Sequence, residues 1–213
     1  MKSDHRSVTR AARTAASAVA AALLLAACGA GAHEKTAGGG SRHGDHAGSE
    51  KGSGPGNAAD VAFAQGMIPH HRQALEMAEL TPSRASSQEV KSLAAAVRGA
   101  QEPEIETLSG WLKSWDEKVP PKGSSGHSEH AEHSGHAMPG MMTAEDMEQL
   151  KKASGKEFDR KFLELMIEHH EGAVEMARTE MDKGSYGKAK SMARDIERSQ
   201  KGEIAQMRKM LKQ

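Results

Sequence analysis

Apolar side chains recur every three to four residues along two stretches of this chain, the period of a helix that buries one face. In the first stretch Asp60, Phe63, Met67, His70, His71, Ala74, Met77 and Ala78 share one side of a helical wheel. They fall within an arc of roughly 120°, the width of a buried stripe, with Glu76 opposite towards solvent. Thr81-Pro82-Ser83 then breaks the pattern, and a second helix is expected from about Ser87 to Trp115, with Leu93, Val97, Leu108, Trp111 and Leu112 on its apolar side. Gln101 and Glu104 lie inside that same stripe. Asp60 stands where a residue can cap or open this helix, and Asp159 stands in the same place in a second stretch. Pro69 is out of place inside a helix, because it removes one hydrogen bond and crowds the preceding turn, so the first helix either starts near Gly66 or bends beside the histidines.

The second stretch repeats the first. Residues 60–112 align with 159–211 without a gap. Met67-Ile68-Pro69-His70-His71 lies on Met166-Ile167-Glu168-His169-His170, and Ala74, Glu76, Met77 and Ala78 lie on Ala173, Glu175, Met176 and Ala177. Gln101, Glu104 and Ile105 match Gln200, Glu203 and Ile204, and Asp60 and Phe63 match Asp159 and Phe162. Lys183-Gly184-Ser185 supplies the break, with a following helix expected from Tyr186 to Leu211 and a short helix over Thr143 to Ala153 leading in. An ungapped match of this length is a duplication. Each unit is a helical hairpin with a stripe it cannot bury alone. The expectation is therefore an all-α fold, a four-helix bundle of two duplicated hairpins, 58–118 and 143–213, related by a pseudo-twofold axis.

The remaining segments have no such period. Arg6, Arg10 and Arg13 precede an apolar run, Ala15 to Ala27, too short to span a bilayer as a helix. The run ends Leu25-Ala26-Ala27-Cys28, which resembles a bacterial lipobox. Residues 1–27 thus read as a lipoprotein signal peptide and Cys28 as the lipidated first residue, which would anchor the protein on the outer face of the cytoplasmic membrane. Residues 28–57, rich in Gly, Ser and His, read as a flexible tether, and 119–142 as a His- and Met-rich linker.

Composition narrows the chemistry. Aromatics are 3% of the chain, too few for a β-sandwich or barrel, and the formal net charge of zero leaves no nucleic-acid footprint. With Cys28 as the only cysteine, lipidation would leave neither a disulfide nor a thiolate ligand. No Ser/His/Asp triad, phosphate loop or Cys-x-x-Cys is present, so hydrolase, kinase and thiol-redox readings lack residues.

What stands out is two pairs of histidines on buried helix faces. A buried neutral imidazole needs a partner for both ring nitrogens, and a bundle core offers few. A metal ion satisfies one nitrogen while a carboxylate or carbonyl takes the other. His70, His71, His169 and His170 are therefore candidate metal ligands, with Met67, Met77, Met166 and Met176 beside them. Asp60, Asp159, Gln101, Glu104, Gln200 and Glu203 are candidates either to orient the histidines or to ligate directly. His127, His130, His133 and His136, followed by Met138, Met141 and Met142, and His33, His43 and His46 in the tether, could capture metal loosely or serve as solvated spacers. Thioether sulfur favours Cu(I), and imidazole accepts Cu(I), Cu(II) or Zn. A di-iron bundle would need Glu-x-x-His, but Met67, Ile68, Met166 and Ile167 stand three residues before the histidines. Copper is the expected ion and zinc the alternative.

Taken together, the doubled Met-Ile-x-His-His-x-x-Ala-hydrophobic-Glu-Met-Ala motif resembles the DUF305 family of exported bacterial proteins. Met138-Pro139-Gly140-Met141-Met142-Thr143, the run from Phe158 to Leu163, and Gln101-x-x-Glu104-Ile105 match it as well, so the resemblance covers about 58–213. It implies a ferritin-like four-helix arrangement and, for CopM-like members, copper binding and resistance outside the cytoplasm. Sequestration or delivery of copper at the membrane is the leading reading. A metal-dependent oxidoreductase and a metal-free partner-binding bundle are the alternatives. The sequence names no protein partner, and a homodimer remains open.

Overall fold

The structure, a computed structural model, describes residues 56–123 and 138–213. The expected signal peptide, Cys28, the tether and linker histidines His127, His130, His133 and His136 lie outside these residues. The chain forms α1 (Ala58–Glu79), α2 (Thr81–Arg84), α3 (Gln88–Ser114), α4 (Ala144–Lys152), α5 (Gly155–Lys183) and α6 (Gly187–Met210). Among the described residues no helix is long and apolar enough to cross a membrane. The expected second helices and the lead-in helix are found within a residue or two of their expected ends, and the Thr81-Pro82-Ser83 break is itself the short helix α2.

The start of α1 corrects one expectation. Asn57 opens the helix, accepting from the Ala59 and Asp60 backbone N–H groups, while the Asp60 carboxylate accepts from Asn57 N–H at 2.6 Å. This reciprocal box starts the helix at Ala58, well before Gly66, and α1 runs unbroken through Pro69. Pro69 costs the helix one hydrogen bond, and burial of the α1 face on both sides of it, from Phe63 to Ala78, holds the helix together across the gap. Pro103 is likewise inside α3.

Asp159 is also misplaced by the sequence reading, since α5 begins at Gly155 and the aspartate sits a turn inside. Its carboxylate reaches across to the other hairpin. It accepts from Ser86 N–H at 3.1 Å, Ser87 N–H at 2.9 Å and the Ser86 hydroxyl, at the start of α3. Asp60 does the same in reverse, accepting from Ser185 N–H at 3.2 Å and Tyr186 N–H at 2.9 Å at the start of α6. Each aspartate therefore caps the second helix of the opposite repeat, satisfying otherwise orphaned N–H groups and placing negative charge at a helix N-terminus.

Side chains from α1, α3, α5 and α6 build the core in two clusters. One holds Met77 and Ala78, Leu93 and Val97, Phe162 and Met166, Ile204 and Met207, and the lead-in helix adds Leu150. The other holds Phe63 and Met67, Leu108 and Leu112, Ala173 and Ala177, Ala193 and Ile196. The N-terminal half of α1 thus shares a cluster with the C-terminal half of α5, so these equivalent helices run antiparallel. The histidines fall between the clusters, at mid-height.

Duplication is imperfect at one end. Glu180 is buried beside Asp60, where the repeat equivalent is Thr81, whose hydroxyl donates to Ala78 O at 2.8 Å. Burial, and then the neighbouring Asp60, push the Glu180 carboxyl up from 4.5 to about 8, with Lys190 opposing. Burial also works to raise Asp60, but donors from Glu180, Tyr186, Asn57 and Ser185 outweigh it and hold Asp60 low. Glu180 therefore keeps its proton beside the charged Asp60. The unfolded chain releases that proton near 4.5 and the folded one near 8, so its contribution to stability is fully present below 4.5 and lost as pH rises towards 8. Metal-free Glu180→Gln should accordingly gain thermal stability relative to the parent as pH climbs through that window and show a constant difference below it. A difference that does not change with pH would mean Glu180 holds no such proton.

Candidate metal centre

His70 and His71 on α1 and His169 and His170 on α5 are fully buried. They form one layer shared by both hairpins. The His70 and His169 rings meet with centroids 3.8 Å apart and planes tilted by 42°, contact between equivalent residues on the pseudo-twofold axis. His169 and His170 centroids are 6.3 Å apart.

The outer histidines are each held by a carboxylate from the second helix of their own hairpin. His71 Nε2 lies 2.7 Å from Glu104 Oε2, and His170 Nε2 lies 2.6 Å from Glu203 Oε2. His70 Nε2 lies 3.1 Å from the Pro139 carbonyl oxygen, which can only accept, so Nε2 carries the proton there. The contact leaves Nδ1 of His70 with a free lone pair. No hydrogen-bond partner reaches Nδ1 of His70, His71, His169 or His170, nor Nε2 of His169. Gln101 and Gln200 are buried close to these glutamates in sequence, and both Oε1 atoms also lack partners.

Burial pushes His70 down from 6.5 to about 3, and His71 and His170 deepen the shift against the Pro139 contact. Burial, and then the surrounding histidines, hold His169 well below its ordinary value. At neutral pH both are uncharged and each offers a nitrogen lone pair. A cation is the partner that buried lone pairs in a polar-poor core would accept, so these residues fit a soft or borderline metal ion. Among the described residues, however, no three His, Cys, Asp or Glu side chains converge as they stand to cage a metal. The His70 and His169 rings would have to turn apart, or sulfur would have to complete the set.

The other candidates sort clearly. Glu104 and Glu203 orient His71 and His170. Asp60 and Asp159 do not belong to the centre: their oxygens are taken by the helix caps, and Asp60 precedes His70 by a helical span of roughly 15 Å. Met67, Met77 and Met166 are fully buried in the apolar clusters, whereas Met176 is half-buried.

One element was invisible in the hydrophobic pattern. The end of the linker, Met138–Met142, runs across α1 and α5 beside the histidines. Gln73 clamps it, donating to Met142 O at 2.9 Å and accepting from Met142 N–H at 2.7 Å. Gly172 lets it close, since a Cβ there would lie 2.0 Å from the Pro139 oxygen. Gly140, at φ +73°, passes so near α5 that a Cβ would meet Glu168 O at 2.6 Å. The start of the linker is pinned too, with Arg72 donating to Pro120 O at 2.9 Å and Pro121 O at 2.7 Å. A glycine inside the strong helical run of α5 was the available signal of close backbone approach.

Fold and site together define a class, a duplicated four-helix bundle with a histidine layer on its internal axis. The sequence profile of DUF305, a domain of unknown function, matches residues 60–211. The chain belongs to the DUF305 family. A Streptomyces coelicolor DUF305 protein classed as secreted is 33% identical with a TM-score of 0.63, over 72% of this chain and 91% of that one. A DUF305 fragment from Deinococcus radiodurans is 31% identical with a TM-score of 0.64, over 74% and 98%. CopM in its Cu(II)-bound form is 33% identical with a TM-score of 0.60, over 72% and 95%, and CopM structures also exist in Cu(I)- and Ag-bound forms. No functionally curated protein matches the chain.

Gly172→Ala tests the strap. Alanine at a helix interior ordinarily stabilises by about 0.5–1 kcal/mol, but the clash with Pro139 should instead destabilise by roughly 1–3 kcal/mol. Urea unfolding of the metal-free protein measures the sign, and a stabilised variant would mean that the strap does not pack on α5.

Proposed function

We propose that this protein binds copper outside the cytoplasm, as cargo to be sequestered or delivered, using the central histidine layer. The observation that carries this reading is the set of unpartnered ring nitrogens on fully buried, neutral histidines contributed by both hairpins. Leaving such atoms bare costs on the order of 1–3 kcal/mol each, and a metal ion would recover that cost. Glu104 and Glu203 would fix the outer rings so that Nδ1 faces the ion, and Met67, Met77, Met166 and Met176 are the thioethers nearest in sequence.

Copper is favoured over zinc on two grounds. Structural zinc sites are closed tetrahedra of thiolate, imidazole and carboxylate, and thioether sulfur is not among those ligands. Cu(I) accepts fewer ligands and favours thioether sulfur, which this core supplies. The likeness to CopM, solved with Cu(I), Cu(II) and Ag, points the same way. Export follows from the signal-like N-terminus and the relative classed as secreted. Lipidation at Cys28 would hold the protein at the membrane, and the linker histidines His127, His130, His133 and His136 would raise the local metal concentration.

Titration of Cu(I) into the purified chain, followed by thermal unfolding, tests the assignment. Copper should stabilise the native protein by about 2.7 kcal/mol at a free concentration of 100 times the dissociation constant. His70→Leu/His169→Leu, which keeps the layer filled, should lose that gain and at least one equivalent of bound copper. Equal stoichiometry and equal stabilisation in parent and variant would refute the role of these histidines.

A further inference from the structure

Duplication gives the molecule an internal control for its surface charge. Residues 187–210 of α6 and 88–111 of α3 occupy equivalent places in the two hairpins. The first set holds seven Lys and Arg against three Asp and Glu, and the second holds two against four. This excess is not spread round α6. Arg194, Arg198, Lys201, Arg208 and Lys209 are all exposed and fall within an arc of roughly 100°, over about 22 Å of helix, with no acidic residue inside the arc. Their equivalents on α3 are Ala95, Gly99, Glu102, Ser109 and Gly110, so the hairpin folds in repeat 1 without a cation at any of these places. Three of the five have acidic neighbours at the edges of the stripe: Arg198 lies 2.5 Å from Asp195, Lys201 2.6 Å from Glu197 and Arg208 2.5 Å from Glu171. Pairs on an exposed surface are worth little in water. Arg194 and Lys209 have no acidic partner among the described residues.

We propose that this stripe on α6 is a docking face for an anionic phospholipid bilayer, on which the bundle lies lengthwise. The proposal takes the nearness of a membrane from the export and lipidation read above, and adds the face that turns towards it. Charge complementarity carries it. Basic side chains within a Debye length of an anionic surface are each drawn to it, and a straight stripe on a packed helix brings all five down on a plane at once. A small anion would need donors that converge, whereas these are strung along the helix and match an extended polyanion. Apart from cations the arc holds only Gly187, Ser191 and Ala205, so the contact is electrostatic, at the level of the headgroups, and not the insertion of an apolar face. The formal net charge of the chain is zero, so the remainder carries an acidic excess that an anionic surface repels, and docking is thereby oriented.

The test is sedimentation of the purified, metal-free chain with vesicles of phosphatidylcholine alone or mixed with phosphatidylglycerol. Binding should rise with the phosphatidylglycerol fraction and fall as sodium chloride is raised. Arg194→Gln/Lys201→Gln/Lys209→Gln should weaken binding to the mixed vesicles by roughly a hundredfold. Lys113→Gln/Lys152→Gln/Lys156→Gln, which removes the same charge from exposed sites off α6, should weaken it far less. All six positions are exposed, so both variants should keep the thermal stability of the parent, and any binding by the N-terminal segment is common to all three chains. Equal loss in the two variants, or parent binding indifferent to phosphatidylglycerol, would overturn the docking face. A salt-sensitive oligomer without vesicles, and no sedimentation with them, would assign the stripe to a second copy and overturn the bilayer. The assay contains no copper, so its failure leaves the histidine layer standing, and failure of the copper titration leaves the docking face standing.

Discussion

Keeping several imidazoles dry at the mid-level of a helical bundle is the constraint to which the rest of this molecule answers. Desolvation removes the option of charge from His70 and His169, so their nitrogens must find neutral donors, acceptors or a cation. The fold supplies Glu104, Glu203 and the Pro139 carbonyl on one side of the rings and leaves the other side bare. Apolar clusters above and below exclude water from the layer. A core that was only structural would gain from replacing the histidines with leucine; their retention in both repeats makes sense for a layer that holds a ligand.

Reciprocal capping explains why the hairpins must come together to be stable. Asp60 and Asp159 each neutralise a helix start that belongs to the other repeat, so neither hairpin is complete alone. Because the caps sit at opposite ends of the bundle and the histidines midway, the caps set the axial register that brings His70 against His169. The association of the repeats and the assembly of the site are thus one event.

Helix ends and buried faces were legible in the sequence because both follow from local signals: Pro and Gly breaks, small polar caps and a 3.6-residue period. The duplication was legible too, as were Glu104 and Glu203 as candidates to orient the histidines, which lie on the inward stripe of each first helix, though not which histidine each one holds. Asp60 and Asp159 shared that stripe yet serve caps rather than the histidines. The wheel gives the side on which a residue lies but not the height of the element it meets. Pro69 was read as a late start or a bend because its lost bond is local, whereas the Asn57 box that sets the true start lies three turns earlier. The strap over Gly172 has no periodicity to detect, being extended chain held by Gln73.

Arg72 and Gln73 are consecutive on α1, and they grip the two ends of the connection between the repeats. Whatever the chain does between Gly123 and Met138, its points of departure and return are thus set on the helix that carries His70 and His71. A single helical turn of α1 therefore acts as both wall and anchorage, facing the histidine layer with one side and mooring the inter-repeat connection with the other.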